Sequence, residues 1–146
     1  MTKFLLDVNV LVALADPTHQ HHDLAHLWFS NRGPSKWATC PATVNGAFRV
    51  LWRLTAHSGP IMGSHVHDVL GSLLARPGRV KIEGQPEITD TSVFDLSKLR
   101  GHNQIPDALL LAIAIQNQAR LLTFDQTIPW AAVKGASEKD IRLLTP

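Results

Sequence analysis

The chain has 146 residues, 45% of them hydrophobic and 18% charged, which is enough for one packed core and too few for two ordinary domains. Its single cysteine, Cys40, excludes an internal disulfide, and its longest apolar run, 108–115, is far shorter than the roughly 20 residues of a transmembrane helix. A formal net charge of +2 at pH 7 is too small to identify a nucleic-acid-binding protein. We expect one domain over 1–146, no membrane span and, without an N-terminal signal segment, a cytoplasmic location.

The first half of the chain alternates short apolar runs with segments whose apolar residues follow helical spacing. A turn from Asp7 to Asn9 separates the first strand from a short helix. This helix ends at Asp16, because a residue that precedes proline is displaced from helical backbone angles. The predicted elements are, in chain order, a strand at 3–6, a short helix at 10–15, a helix at 22–30, a strand at 36–40, and helices at 43–56 and 65–75.

The second half continues the same alternation. Thr89 or Asp90 is suited to cap a helix, and Pro106 fits the first turn of another, where its missing amide proton is not needed. Strands that alternate with helices predict an α/β fold with a mainly parallel, helix-covered sheet. The predicted elements are a strand at 79–82, a helix at 89–99, a long helix at 105–119, a strand at 121–124, a short helical turn at 127–133 and a strand at 141–144.

Three carboxylates occupy related positions in this pattern. Asp7 and Asp125 each follow an apolar strand, and Asp107 begins the long apolar helix. Taken singly, each is an ordinary capping or turn residue. Ligands of open α/β sheets bind outside the carboxyl ends of the parallel strands, so a shared site explains all three positions together. Clustered carboxylates repel one another unless a cation intervenes, and Mg²⁺ prefers oxygen ligands. The pattern therefore predicts a metal-dependent enzyme that acts on phosphodiesters.

Two other groups of residues have competing interpretations. His22 and His26 are four residues apart on a predicted helix, a spacing that can bind zinc, and His19 and His21 lie nearby. Because neither a cysteine pair nor a His-Glu-x-x-His motif accompanies them, we expect these histidines to serve in packing and at the helix start. We likewise expect core or interface roles, rather than base stacking, for the four tryptophans: Trp28, Trp37, Trp52 and Trp130.

A polar stripe is predicted on the helix at 43–56. Asn45, Arg49 and Arg53 recur every four residues and therefore share one helix face. Such a face can contact phosphate groups, or it can simply be solvated. The sequence leaves both interpretations open.

These residues together resemble a known family, the PIN-domain ribonucleases of the VapC type, which are the toxins of type II toxin–antitoxin pairs. The resemblance covers nearly the whole chain, and it is the order and spacing of several weak motifs that makes it specific. The motifs are Leu6-Asp7-Val8-Asn9-Val10-Leu11, the His-x-His-His spacing within 19–28, Ala38-Thr39-Cys40-Pro41, Asn45-Gly46 with Arg49-Val50-Leu51, Gly101-His102-Asn103-Gln104-Ile105 with Asp107-Ala108, and Leu122-Thr123 with Asp125.

The resemblance implies a PIN-like three-layer α/β/α sandwich, a Mg²⁺ or Mn²⁺ cofactor, endonucleolytic cleavage of RNA, a homodimer and inhibition by a cognate small antitoxin. It assigns Asp7 and Asp107 as direct metal ligands, with Asp125 completing the acidic set directly or through water. Asn9 would orient water or Asp7. The candidates for substrate binding are Arg49, Arg53 and Thr123, the last also as a support for its loop.

One position departs from the family pattern. Members usually place a glutamate immediately before the Asn-Gly of the third helix, where this chain has Val44. Asn45 cannot replace that glutamate, because adjacent helical positions point about 100 degrees apart. The chain is thus a weakened enzyme, an altered sequence or a natural variant that uses three acids. Pro106, where the family commonly has a hydroxyl residue, is a smaller departure.

Two further functions compete with the ribonuclease. One is a catalytically impaired PIN domain that binds RNA or an antitoxin without turnover. The other is a phosphatase of the haloacid-dehalogenase type, which also begins with an aspartate at a strand end. That phosphatase needs a second aspartate two residues later, and this chain has Asn9 there.

Overall fold

The structure is a computed structural model that describes residues 2–56 and 59–146. Short 3-10 turns at Leu96–Lys98, His102–Gln104, Trp130–Ala132 and Glu138–Asp140 complete the regular structure of this part of the chain. Its strands and helices are, in chain order, β1 (Lys3–Leu6), α1 (Val8–Ala15), α2 (His22–Asn31), β2 (Lys36–Thr39), α3 (Pro41–Thr55), α4 (Gly63–Leu74), β3 (Arg79–Lys81), α5 (Ile105–Gln116), β4 (Ala119–Thr123) and β5 (Ile141–Leu143).

The five strands form one sheet in the order β3-β2-β1-β4-β5, and all neighbours are parallel. From β1 the chain first builds outwards through β2 and β3, and then returns to add β4 and β5 on the other side. The direction of winding therefore reverses between β1 and β4. Adjacent strand ends at such a switch point open a crevice at the carboxyl edge of the sheet, where ligands bind in this class of fold.

Helices cover both faces of the sheet. Successive residues of a strand point to opposite faces. On β1, Phe4 and Leu6 pack in the core formed with α1 to α4, whereas Leu5 packs in the core formed with α5 and the segments that contain Phe94 and Val133. This arrangement confirms the predicted three-layer α/β/α sandwich, and burial on both faces explains why β1 is apolar throughout. No helix in residues 2–56 and 59–146 is long and apolar enough to span a membrane.

The helix predicted at 89–99 is wrong. This segment consists of turns, with only a single 3-10 turn at Leu96–Lys98. The side chains of Asp90 and Asp95 each accept hydrogen bonds from the amide and the hydroxyl of the serine two residues later. Such local bonds compete with the helical backbone pattern. Phe94, which is only 1% exposed, anchors the segment in the core without requiring a helix.

Other predicted boundaries shift by a few residues. Helix α3 begins at Pro41 rather than at 43, because proline occupies its first turn. Helix α5 ends at Gln116 rather than near 119, since Gln118 adopts a left-handed backbone with φ of 54° and β4 begins directly after it. The short helical turn predicted at 127–133 is the 3-10 turn Trp130–Ala132.

Gly46 sets the distance between α3 and the beginning of α1. A Cβ at this position would lie 2.8 Å from Cγ2 of Val8, closer than side chains normally approach. Val8 directly follows Asp7, and its β-branched side chain has little freedom to move away in a helix. The absence of a side chain at residue 46 thus allows the two helices to pack closely beside the first predicted site residue.

We expect Gly46→Ala to lower the free energy of unfolding by about 1–3 kcal/mol, because the added methyl group overpacks this contact. Gly71→Ala in α4 is the matched control, since its Cβ would meet nothing within 4 Å. Alanine should there stabilise the protein by up to about 1 kcal/mol through helix propensity. Urea unfolding measures both, and Val8→Ala should partly rescue Gly46→Ala. Equal effects of the two glycine substitutions would contradict the contact.

Candidate active site

Asp7 lies in the crevice between β1 and β4. It follows β1 and caps α1: its Oδ1 accepts a hydrogen bond from the amide of Val8 at 2.7 Å. Its own amide donates to the carbonyl of Leu122 on β4 at 2.9 Å, so strand pairing continues up to the site. Asp7 is 6% exposed, so its carboxylate is almost completely buried.

Thr123, the last residue of β4, connects the site residues to one another. Its hydroxyl donates to Oδ2 of Asp7 at 2.7 Å and accepts from Nδ2 of Asn9 at 3.3 Å and from the amide of Asp125 at 3.0 Å. A hydroxyl has one proton and two lone pairs, so its bonding capacity is fully used. Because Thr123 is 0% exposed, it cannot contact a substrate. Its assignment to substrate binding is therefore wrong, whereas its support of the loop is observed.

Asp125 and Asp107 face the same crevice from β4 and from α5. The Oδ1 of Asp125 accepts bonds from the amide and hydroxyl of Thr127 at 2.8 and 2.6 Å, which fixes the orientation of the carboxylate. Thr127 was not predicted as a supporting residue, although the Asp-x-Thr spacing is a local sequence signal for this turn. Asp107 is half-buried in the first turn of α5.

The charges of the three acids act on one another. Burial, and then the charges of Asp7 and Asp125, raise the pKa of Asp107 to about 6. Burial also raises the pKa of Asp7, with a smaller contribution from Asp125, although hydrogen bonds from Thr123 and Val8 favour the charged form. The structure thus brings together three carboxylates that are predicted from distant parts of the sequence, at an electrostatic cost that a bound cation would remove.

The acids line a cavity of about 430 Å³. Arg53 contributes to its wall, whereas Arg49, although exposed on the same helix, is not among the lining residues. Val44 lines a separate cavity of about 190 Å³ together with Asn45. Other residues of the acidic cavity were not predicted from the sequence, because no local pattern connects them with the acids: Val8, Val12, His19, Val50 and Leu54.

The donors available in this cavity fit a hard divalent cation. The donors are carboxylate oxygens, which such cations prefer as ligands. Burial and mutual repulsion raise the pKa of Asp7 and of Asp107, and a bound cation would relieve that repulsion. In the part of the chain that the structure describes, no three side chains of His, Cys, Asp or Glu are already arranged as a metal site. Binding of a cation by all three acids would therefore require their side chains to move closer together.

Three of the four clustered histidines serve in packing, as expected, whereas His19 lines the acidic cavity. Nδ1 of His22 lies 2.7 Å from the carbonyl oxygen of Ala13, and Nε2 of His26 lies 3.1 Å from that of Leu14. The ring of His21 stacks on Phe124 with centroids 4.8 Å apart. These contacts fasten α2 to α1 and to the loop after β4.

Two solved structures share this fold. VapC20 of Mycobacterium tuberculosis, a toxin that cleaves the sarcin–ricin loop, matches with a TM-score of 0.64 at 14% identity, over 92% of this chain and 97% of that one. PAE2754 of Pyrobaculum aerophilum matches with a TM-score of 0.57 at 24% identity, over 92% and 82%. At these identities the likeness establishes the fold alone.

Sequence comparison establishes the family. Residues 4–134 match the PIN domain family. The chain is 38% identical over 144 residues to ribonuclease VapC44 of M. tuberculosis, covering 96% of this chain and 98% of the relative. It is 36% identical over 141 residues to ribonuclease VapC38 of the same organism, covering 97% of each. The chain therefore belongs to the PIN-domain family and is a homologue of the VapC ribonuclease toxins.

Proposed function

We propose that this chain is a Mg²⁺- or Mn²⁺-dependent endoribonuclease and the toxin of a type II toxin–antitoxin pair. The observation that carries the proposal is the convergence of Asp7, Asp107 and Asp125 on one cavity at the switch point of the sheet. There, burial and the charges of the other two acids raise the pKa of Asp107 to about 6. Family membership supports the same chemistry and does not favour the phosphatase alternative.

The three acids have different roles in the proposed site. Asp7 and Asp107 would hold the cation, and Asp125 would complete the set directly or through water. A bound divalent cation lowers the pKa of water and offsets charge on a phosphate oxygen. The hydroxyl of Thr123 and the amide of Val8 keep Asp7 in one orientation.

Neighbouring side chains complete the proposed site. The side-chain amide of Asn9 donates to the hydroxyl of Thr123, which in turn donates to Asp7, and it would orient a water or Asp7. The guanidinium of Arg53 in the cavity wall would attract the phosphate of an RNA substrate. Arg49 lies on the same exposed helix face and would act outside the cavity.

We further propose a cognate small antitoxin as inhibitor, a homodimer as the functional unit and the cytoplasm as the place of action. These partners rest on the relation to VapC toxins. Copurification of the chain with the product of a short neighbouring gene, followed by measurement of the mass of the complex in solution, tests both associations.

Val44 supports a second candidate function, a PIN domain that binds RNA or antitoxin with little turnover. Its half-buried side chain packs in the same core cluster as Val8, which follows Asp7, and it offers no oxygen to the neighbourhood of the acids. The two candidates differ in one measurement: incubation with total RNA, with and without Mg²⁺ or Mn²⁺, followed by mapping of the cut sites.

We expect Asp7→Asn and Asp107→Asn each to reduce metal-dependent cleavage by at least about 10- to 100-fold and to weaken metal binding, with a smaller effect of Asp125→Asn. Asp23→Asn, an exposed acid in the first turn of α2, is the matched control and should behave as the original protein. Isothermal titration with Mn²⁺ and an RNA cleavage assay provide the readouts. Full cleavage by Asp7→Asn with unchanged titration would remove the central assignment.

Metal binding should strengthen as the pH rises through about 6. The pKa of Asp107 in the metal-free fold is about 6, against an ordinary value of 3.8, so between these values the folded state holds a proton that the unfolded state has lost. Stability of the metal-free protein should consequently fall as the pH rises across this window. A cation replaces that proton, so the increase in Tm produced by Mg²⁺ should be small at pH 5 and large at pH 8. Asp107→Asn should flatten the pH dependence of the metal-free stability and that of the Tm increase. If neither dependence changes in this variant, Asp107 is not a metal ligand.

We expect Val44→Glu to fold normally, to tighten Mg²⁺ or Mn²⁺ binding and to raise the cleavage rate, because it restores a carboxylate where the family usually has one. Expression without antitoxin should also become more harmful to the host. Asn45→Glu is the control: it adds the same charge on an adjacent position that points about 100 degrees away. If Val44→Glu changes neither metal affinity nor cleavage, the site uses three acids only.

A further inference from the structure

A groove continues from the acidic cavity along the surface between the loop after β4 and the segment before α5. Asp125 lines both the acidic cavity and an adjoining cavity of about 310 Å³. Trp130 and Ile128 line that second cavity and also a third, of about 500 Å³, which contains Lys98 and Arg100. The three cavities therefore form a path that leads from carboxylates, past an aromatic ring, to two cations.

Trp130 is an exposed tryptophan on a turn whose backbone is held by hydrogen bonds. Trp130 is 37% exposed, while two later residues of the same turn are buried, Ala132 at 0% and Val133 at 3%. The amide of Trp130 donates to the carbonyl of Ile128 at 2.9 Å, and its carbonyl accepts from the amide of Val133 at 3.1 Å. An exposed aromatic ring on an anchored turn is suited to stack on an unpaired base. This exposure does not fit a core role for Trp130, and it leaves the ring open to a partner or a ligand.

Charges along the groove vary in a way that matches a nucleic-acid strand. Beside Trp130 the second cavity has the acids Asp125 and Glu138, which repel a phosphate but not a base. Lys98 and Arg100 are exposed in the cavity beyond it, and neither has an ion-pair partner in residues 2–56 and 59–146. Both cations are therefore available to a phosphate.

The backbone that carries the two cations is held by local hydrogen bonds. Asp95 accepts from the amide of Ser97 at 3.2 Å, and the amide of Arg100 donates to Oε1 of Gln104 at 2.7 Å. The positive charges are thus presented from a defined segment next to α5, the helix that carries Asp107. Both ends of the groove are consequently tied to elements that also position the acids.

We propose that this groove binds single-stranded RNA on one side of the bond to be cleaved, with Trp130 stacked on an unpaired base and with Lys98 and Arg100 on the phosphates beyond it. The proposal rests on the proposed ribonuclease function and adds to it a binding subsite outside the acidic cavity, made by Trp130, Lys98 and Arg100. Paired bases are already stacked on their neighbours and cannot use the ring of Trp130 in this way.

The test measures binding of a fluorescein-labelled single-stranded RNA of about 12 nucleotides, a length within the range of single-strand sites, by fluorescence anisotropy of the full chain in EDTA. Trp130→Ala should weaken binding by about tenfold, Trp130→Phe should retain most of it, and a duplex of the same strand should be insensitive to either. Trp52→Ala is the matched control, because Trp52 is 42% exposed but lies on α3 outside the groove. Thermal unfolding verifies that each variant is folded.

The charge pair is tested in the same assay. Lys98→Gln with Arg100→Gln should reduce the slope of log affinity against log salt by about 0.7 for each phosphate group that the variant no longer binds. Lys36→Gln with Arg142→Gln removes the same charge from exposed positions elsewhere and should leave the slope closer to that of the original protein. Unchanged affinity of Trp130→Ala, or no binding of single-stranded RNA by the original protein, overturns the proposal.

Two further outcomes distinguish RNA from other occupants and the groove from the catalytic site. A labelled poly-glutamate peptide carries charge without bases; if groove variants lose this peptide and keep RNA, the groove binds an acidic protein segment and the proposal fails. Parallel cleavage assays with Mn²⁺ test the ribonuclease function independently. If the original protein cleaves RNA but the groove variants bind RNA as it does, the groove proposal fails and the ribonuclease function stands. If the groove variants lose RNA binding but the original protein does not cleave RNA, the ribonuclease function fails and the groove proposal stands.

Discussion

The hydrogen bond from the hydroxyl of Thr123 to Asp7 joins the ends of the two central strands, and the rest of the site depends on it. The pairing of β1 with β4 brings the two residues together although 116 positions separate them in the chain. The same hydroxyl accepts from Asn9 and from the amide of Asp125. One buried group therefore sets the orientation of a carboxylate, an amide and a loop at once. Because the sheet is covered on both faces, this geometry is supported by two hydrophobic cores.

The fold supports a cluster of acids that is unfavourable in isolation. Burial and repulsion raise the pKa of Asp7 and of Asp107, so the metal-free site costs stability at neutral pH. The bonds to Asp7 offset part of this cost, and the turn with Thr127 fixes Asp125 without neutralising it. Repulsion of this kind, retained within an otherwise well-packed fold, is typical of a functional site, since a catalytic cation converts it into binding energy.

The charges around the cavity bear on how a small fold with nearly balanced charge would accept the proposed polyanionic substrate. A net charge of +2 would not attract RNA strongly, but three of the acids line one pocket, Asp7, Asp107 and Asp125. Arg53 stands in its wall, and Lys98 and Arg100 lie along the groove that leads away from it. The distribution of charge, rather than its sum, would thus direct the phosphate groups of the proposed RNA substrate to the site. Val44 lines a separate cavity beside β3, at one edge of the sheet. The cavity that contains Trp130 lies beside β5, at the opposite edge.

The sequence by itself determined the α/β class, nearly all helices and strands, and the meeting of three acids at one edge of the sheet. These features are local, or follow from the rule that parallel strands end at the same edge. Side-chain competition for backbone amides, as at Asp90, does not alter hydrophobic periodicity, and the helix predicted at 89–99 was therefore wrong. Only the tertiary structure decided that Thr123 is buried beneath the site, that Arg53 reaches the cavity while Arg49 does not, and that Trp130 is exposed between two cavities. Burial and cavity walls arise from residues far apart in the chain, so no local pattern contains them.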